Sequence, residues 1–265
     1  MKFISLNVAI KIDNSQKVAE FIQSEQPDIV AFQEIIRHFD DSVFDMYQSK
    51  SKIEKIIGPG LPYSFFGPQW FAYADIKNNK VCRDFGGKIE QGNEVISRFP
   101  IKRAANEHYH KSYEDSSDRT NFHTDDHARS VAIVELDVAG QPLQILTLHG
   151  LYTRDKKDIP RTIKQSKYII EAAKRKKNPT IIAGDFNLLP DTKSIALMEK
   201  EFSNLIKEYK ITSTIPKFDH GTETTKKGVL DYIFINDQIK VNDFQVRETD
   251  ISDHLPLILD FDIVD

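Results

Sequence analysis

The chain has 265 residues, 36 Lys and Arg against 40 Asp and Glu, a formal net charge of −4 and 40% hydrophobic residues. A sizeable core is therefore within reach, and disordered, collagen-like, coiled-coil and low-complexity classes are excluded. With Cys82 as its one cysteine no internal disulfide can form, and no apolar run approaches the roughly 18 residues that span a bilayer, so a cytoplasmic setting without stable membrane association is expected.

Alternation over residues 2–8 predicts a strand, and Asn14-Ser15 opens a helix with Val18, Phe21 and Ile22 on one face, stopped by Pro27. Asp28-Ile29-Val30-Ala31-Phe32 reads as a strand covered on both faces that ends at Gln33-Glu34. A short helix is expected over 51–57 and a strand over 62–66; the glycine-punctuated stretch 67–92 reads as a hairpin plus loop. Residues 93–97 form another buried strand. The polar segment 104–128, with His108, His110, His123 and His127, lacks periodicity and reads as a surface loop.

Strands over 130–138 and 143–148 flank Ala139-Gly140-Gln141-Pro142, a hairpin signal, and the second delivers His149 at its end. Pro160 suits the first position of a helix closed by the basic run 174–177. A buried strand over 180–184, a helix over 191–202 and strands over 229–235 and 255–261 complete the pattern. Roughly ten strands arriving both as hairpins and after helical crossovers imply mixed sheets, and the simplest way to bury them is one α/β domain over 1–265 with two packed sheets and helices outside.

Polar residues at the ends of buried strands must find partners, and several such ends together make a site. Here they are Asn7, Glu34, His149, Asp185 with Asn187, Asp231, and Asp253 with His254. Each alone has an ordinary structural reading as a turn, a cap or a satisfied core histidine. The set does not: it combines oxygen ligands, Asn7, Glu34 and Asp253, with two histidines and no cysteine cluster. That suits Mg2+ or Mn2+ rather than structural zinc.

In this order the motifs resemble the endonuclease/exonuclease/phosphatase superfamily. The resemblance runs from Ile4-Ser5-Leu6-Asn7 through Gln26 to Glu34, Gly92 to Pro100, Gly184-Asp185-Phe186-Asn187 and Leu230-Asp231-Tyr232-Ile233 to Ser252-Asp253-His254. It implies a four-layer α/β sandwich with a Mg2+-dependent site, at which Mn2+ can substitute, where the strands of two sheets converge. Position by position it implies Glu34 as the metal-binding carboxylate, assisted by Asn7, with Asp253 completing a metal site. The resemblance further implies that Asp185 and Asn187 orient the attacking water and a phosphoryl oxygen, with Asp185 as the base. It also implies that His254 contacts phosphate or polarises water, with Asp231 fixing its tautomer. His149 matches the histidine of the DNase I-like and many phosphatase branches, where exonuclease III-like repair enzymes carry tyrosine, so abasic-site repair is demoted.

Asn93 is a candidate donor to substrate, with a turn role as its alternative. Arg129 reads more simply as a strand-edge arginine in a surface ion pair than as a phosphate contact. The expected function is a metal-dependent phosphoesterase acting on DNA or RNA, with a phosphatase or phosphodiesterase for a small or lipid-borne phosphate as the alternative. A non-catalytic binding protein of the same fold should have lost one of the site residues, and none is lost. No protein partner can be inferred.

Overall fold

A computed structural model describes residues 1–9, 14–39, 50–118, 127–219, 222–223 and 228–264. The first alternating run forms β1 (Lys2–Asn7). Helix α1 (Ser15–Glu25) starts after Asn14 and ends at Gln26, which turns left-handed at φ 50° and returns its N–H to the Ile22 carbonyl. Then come β2 (Ile29–His38), α2 (Lys50–Ile57), β3 (Tyr63–Lys77), β4 (Lys80–Ser97), β5 (Ile101–His110), β6 (Arg129–Val138) and β7 (Gln141–His149). They are followed by α3 (Pro160–Lys174), β8 (Thr180–Asp185), α4 (Lys193–Met198), β9 (Ser203–Asn204) and α5 (Leu205–Glu208). The chain closes with β10 (Phe218–Asp219), β11 (Thr222–Glu223), β12 (Asp231–Ile235), β13 (Ile239–Val246) and β14 (Leu257–Ile263).

Two mixed six-stranded sheets result, in the orders β13-β14-β1-β2-β4-β3 and β5-β6-β7-β8-β12-β9. The period of two along each strand sorts side chains between the layers. Phe3, Ile29, Ala31 and Val95 of the first sheet share one buried cluster with Val134, Leu146, Leu148 and Ile181 of the second. Their neighbours Ile4, Leu6, Val30 and Phe32 pack instead with Val18 and Ile22 of α1 and Ile53 and Ile57 of α2. On the other side, Ile169 and Ala172 of α3 and Ile195 and Met198 of α4 join the core of the second sheet. The layers are helix, sheet, sheet, helix, the four-layer sandwich expected.

Several boundaries differ from the sequence reading. Strand β2 does not stop at Gln33-Glu34 but continues to His38 through a bulge, where its pairing with β4 shifts register between Phe32 and Ile35. The stretch 93–97 is the end of the long β4, which pairs with β3 across a two-residue turn; Asn78 (φ 51°) and Asn79 (φ 58°) both take the left-handed conformation that such hairpins require. Residues 104–110 belong to β5, paired with β6, so the expected loop begins only at Lys111. His123, with all of 119–126, lies outside the described residues. The helix expected over 191–202 is regular only over Lys193–Met198, and β13, which the reading did not assign, forms one edge of the first sheet. Among the described residues no helix is long and apolar enough to cross a membrane.

Candidate active site

Strand direction gathers the polar ends at one edge of both sheets. β1 runs parallel to β2, and β7 parallel to β8, so Asn7, the β2 bulge, His149 and Asp185 emerge together. β12 is antiparallel to β8 with Asp231 opposite Asp185, and β14 is antiparallel to β1 with Leu257 opposite Ser5. The starts of β12 and β14 therefore bring Asp231 and the preceding Asp253-His254 to the same edge.

Local chemistry sets each side chain. Glu34 sits in the bulge at φ 60°, a strained conformation for a residue with a side chain. Gly184 has φ 142°, and a Cβ there would lie 2.1 Å from the Leu148 carbonyl oxygen, so only glycine lets β8 approach β7 this closely. The next turn is closed by Asp185, whose Oδ1 accepts the Asn187 N–H at 2.7 Å. Asn187 takes φ 57°, which asparagine tolerates better than most residues.

The groups then meet. Asn7 Nδ2 lies 3.2 Å from Glu34 Oε1 and 3.1 Å from Asp185 Oδ2, while its oxygen accepts the Ala9 N–H at 3.0 Å. Asn187 Nδ2 donates to Asp185 Oδ2 at 3.2 Å. His254 Nδ1 bonds Asp231 Oδ2 at 2.8 Å, leaving Nε2 3.8 Å from Asp185 Oδ2 and 4.0 Å from Asp253 Oδ1. His149 Nε2 faces Glu34 Oε1 at 3.7 Å and Asp185 Oδ2 at 3.6 Å, beyond hydrogen-bond range of either. Asp185, Asp231 and His254 are buried and place ligand atoms within 4.8 Å of one another.

Electrostatics separate the two histidines. Burial opposes the His254 imidazolium, but the charges of Asp231 and Asp185 and the bond to Asp231 outweigh it and push its pKa up to about 10. His149 is driven well below the ordinary histidine value by burial and by the positive charges of Arg129, His254 and Lys156. Burial also holds Asp185 above the ordinary aspartate range, against the lowering effect of His254. The two rings are thus driven in opposite directions, His254 towards the imidazolium and His149 towards the neutral imidazole.

Sequence reasoning missed several members. Arg129 is buried rather than at the surface: it is 4% exposed, it donates to Gln69 Oε1 at 3.5 Å, and its charge is felt by Glu34 and Asp185. Thr214 donates to Asp231 Oδ2 at 2.6 Å while accepting the Asp231 N–H at 3.2 Å, which fixes the carboxylate that orients His254. Gln69 Nε2 and the Tyr109 hydroxyl both donate to the His149 carbonyl at 3.2 Å. Lys156 donates to Asn187 Oδ1 at 2.5 Å. Thr214 and Lys156 lie in polar loops where nothing local distinguishes them. Asn93 is fully buried, and its Nδ2 donates to the Ser130 carbonyl at 3.1 Å, bracing the first sheet against the second beside Arg129. Trp70 is packed at 2% exposure and Tyr73 stands open at 51%.

The donor set suits a hard divalent cation: Glu34 and Asp185 present carboxylate oxygens on either side of the Asn7 amide, and Cys82 is exposed on β4.

Comparison with known proteins agrees with this architecture. The model of the Endonuclease/Exonuclease/phosphatase family matches residues 4–254. All of the chain, with 72% of the other, superposes on an endonuclease/exonuclease/phosphatase from Beutenbergia cavernae at a TM-score of 0.75 and 15% identity. The human Nocturnin catalytic domain with bound sulfate superposes at 0.66 and 18% identity, over 100% of this chain and 93% of that one. A mannosyl-6-phosphatase from Bacteroides thetaiotaomicron does so at 0.64 and 14%, over 99% and 100%. At these identities the likeness is one of fold. No curated protein matches the chain by sequence.

Proposed function

Because the chain belongs to the endonuclease/exonuclease/phosphatase family, we propose that it is a Mg2+-dependent phosphoesterase that attacks phosphorus with water, acting as a phosphodiesterase on nucleic acid. The observation that carries this reading is the convergence of Glu34, Asp185 and the Asp231–His254 pair at one edge of two sheets. Asp185 is the base: its raised proton affinity suits it to take the proton of a water attacking in line with the ester bond. The water oxygen bonds to phosphorus as the ester P–O bond breaks, one water proton passes to Asp185, and the leaving alkoxide takes up a proton from solvent to depart as the alcohol. Charge on the phosphoryl oxygens is met by the His254 imidazolium and by the Asn187 amide, while buried Arg129 adds positive charge that acts on Glu34 and Asp185. His149, neutral, offers its ring N–H to a phosphoryl or leaving oxygen rather than a full positive charge.

Glu34 would hold the cation, with Asp253 beside the site, and Asn7 would orient Glu34 through its N–H2 group. When bound, Mg2+, or Mn2+ in its place, supplies a Lewis acid that draws charge from the phosphoryl oxygens. Support for a nucleic-acid substrate comes from the loop after His149, where Arg154 and Lys157 are exposed beside Lys156 and, set against Asp155 and Asp158, leave one positive charge in excess. The mannosyl-6-phosphatase of the same fold favours a second reading, a phosphatase or phosphodiesterase for a small-molecule or lipid phosphate.

The test is cleavage of a supercoiled plasmid with Mg2+ or Mn2+, with and without EDTA, beside Glu34→Ala prepared identically. Metal-dependent nicking by the wild type alone is the expected result. An intact plasmid together with turnover of phosphomonoesters or lipid phosphodiesters would replace the nucleic-acid reading with the second one.

A further inference from the structure

The loop between β7 and α3 approaches the site from a side that no motif announced. Its backbone is tied down at several points. Lys156 N–H donates to the Thr153 carbonyl at 3.2 Å, the Lys156 carbonyl accepts the Leu189 N–H at 3.0 Å, and the Thr153 hydroxyl donates to the Lys157 carbonyl at 3.1 Å. Lys156 itself takes φ 58°, a conformation that costs energy in a residue with a side chain and persists only where its surroundings impose it. The tether to Leu189 joins this loop to the segment that carries Asn187, two residues earlier. From there the Lys156 ammonium lies over the Tyr152 ring, 3.8 Å from its centre, and donates to Asn187 Oδ1 at 2.5 Å.

The consequence lies in the Asn187 carboxamide, whose two ends are alike in shape and opposite in hydrogen-bonding character. In the observed orientation its oxygen faces the ammonium and its nitrogen faces Asp185 Oδ2 at 3.2 Å. Turned over, it would set the amide N–H2 against an ammonium and the amide oxygen against a carboxylate, both repulsive. Lys156 and Asp185 therefore select one orientation from opposite ends. A charge-assisted bond to the oxygen also polarises the amide and strengthens its N–H groups as donors.

We infer that Lys156 is a positioning residue that locks and polarises the Asn187 carboxamide so that its N–H donors face Asp185 and the reacting phosphoryl group. The inference rests on the phosphoesterase reading for its catalytic consequence, but the lock itself does not. Lys156 acts through Asn187 and is not assigned to the substrate. Its removal should therefore be felt in turnover more than in substrate binding.

Two measurements test it. First, the Asn187 side-chain amide signals are identified in a 15N–1H NMR spectrum by their loss in Asn187→Ala, and are followed in Lys156→Met, which keeps the length of the side chain, and in Lys156→Arg, which keeps its charge. The signals should shift in Lys156→Met and stay near their wild-type position in Lys156→Arg; unmoved signals in Lys156→Met overturn the lock whatever the activity. Second, steady-state rates on bis(p-nitrophenyl) phosphate at saturating Mg2+ are compared in a double-mutant cycle. Lys156→Met should lower kcat about tenfold with KM within about twofold, Lys156→Arg should recover most of the loss, and Lys156→Met added to Asn187→Ala should cost nothing more. A risen KM with unchanged kcat, or fully additive losses, overturns the positioning role. If the wild type hydrolyses no phosphate ester, the phosphoesterase reading fails while the NMR arm still decides the lock.

Discussion

On the proposed mechanism Asp185 and His254 act where charge develops, so removing the carboxylate or the imidazole would withdraw stabilisation from the transition state rather than from substrate binding. Asp185→Ala and His254→Ala are each expected to lower kcat at least about a hundredfold in a protein whose circular dichroism is that of the wild type. Wild-type rates in either variant would remove that residue from the mechanism. A second prediction concerns a buried carboxyl away from the chemistry. Glu94 is fully buried, and its burial, opposed by Lys50 2.8 Å away and aided by Glu54, pushes its pKa from 4.5 up to about 8. A carboxyl with a raised folded-state pKa leaves stability intact below the unfolded value and erodes it as pH rises through the folded one. The wild type should therefore lose thermal stability between about pH 4.5 and 8, and Glu94→Gln should lose less over the same range. Parallel melting curves for the two proteins would rule the assignment out.

At the scale of elements, the β2 bulge decides where Glu34 points. An uninterrupted strand would send successive side chains to opposite faces. The extra residue and the left-handed φ of Glu34 break that alternation, leaving Gln33 buried against Thr147 at 2.9 Å while Glu34 stays partly open to the cleft. The conformation costs about 1 kcal/mol in a residue other than glycine. Glu34→Gly should accordingly melt at or above the wild-type temperature without metal, while losing metal-dependent activity. A clear drop in Tm would show that the Asn7 bond to Glu34, at 3.2 Å, outweighs the strain. Elements also explain where patterns ended early. The apolar run of β2 stops at Phe32 because polar residues occupy the bulge, yet pairing resumes at Ile35 opposite Gly92. β5 is mostly exposed or half-buried and lies at a sheet edge, so it carries no hydrophobic signature although it pairs along its length with β6.

For the whole molecule, the site is a joint between two sheets, and a cation bound there ties both to the folded state. Glu34 and Asn7 come from the first sheet, Asp185, Asp231 and His149 from the second. Mg2+ at about a hundred times its Kd should stabilise the fold by about 2.7 kcal/mol, seen as a rise in Tm that EDTA reverses. Glu34→Ala should show no such rise. An equal Mg2+-dependent shift in wild type and variant would place the bound cation elsewhere.

The amino-acid sequence by itself determined the alternating and all-apolar strands, the turn glycines, the helix starts and the chemical character of the polar strand ends. These are local: periodicity, proline, glycine and the cost of burying an unpaired carboxylate act within a few residues. Asn7, Glu34, His149, Asp185, Asn187, Asp231, Asp253 and His254 were legible on that ground. Tertiary structure alone decided that Arg129 is buried, that Thr214 steadies Asp231, that Asn93 braces the sheets and that Lys156 reaches Asn187. Each of these depends on which strand lies beside which, and on a partner 17 to 60 residues away. Such pairings arise only when two sheets close over a shared core, so the charge and orientation of the site belong to the fold even though its chemical groups are written in the chain.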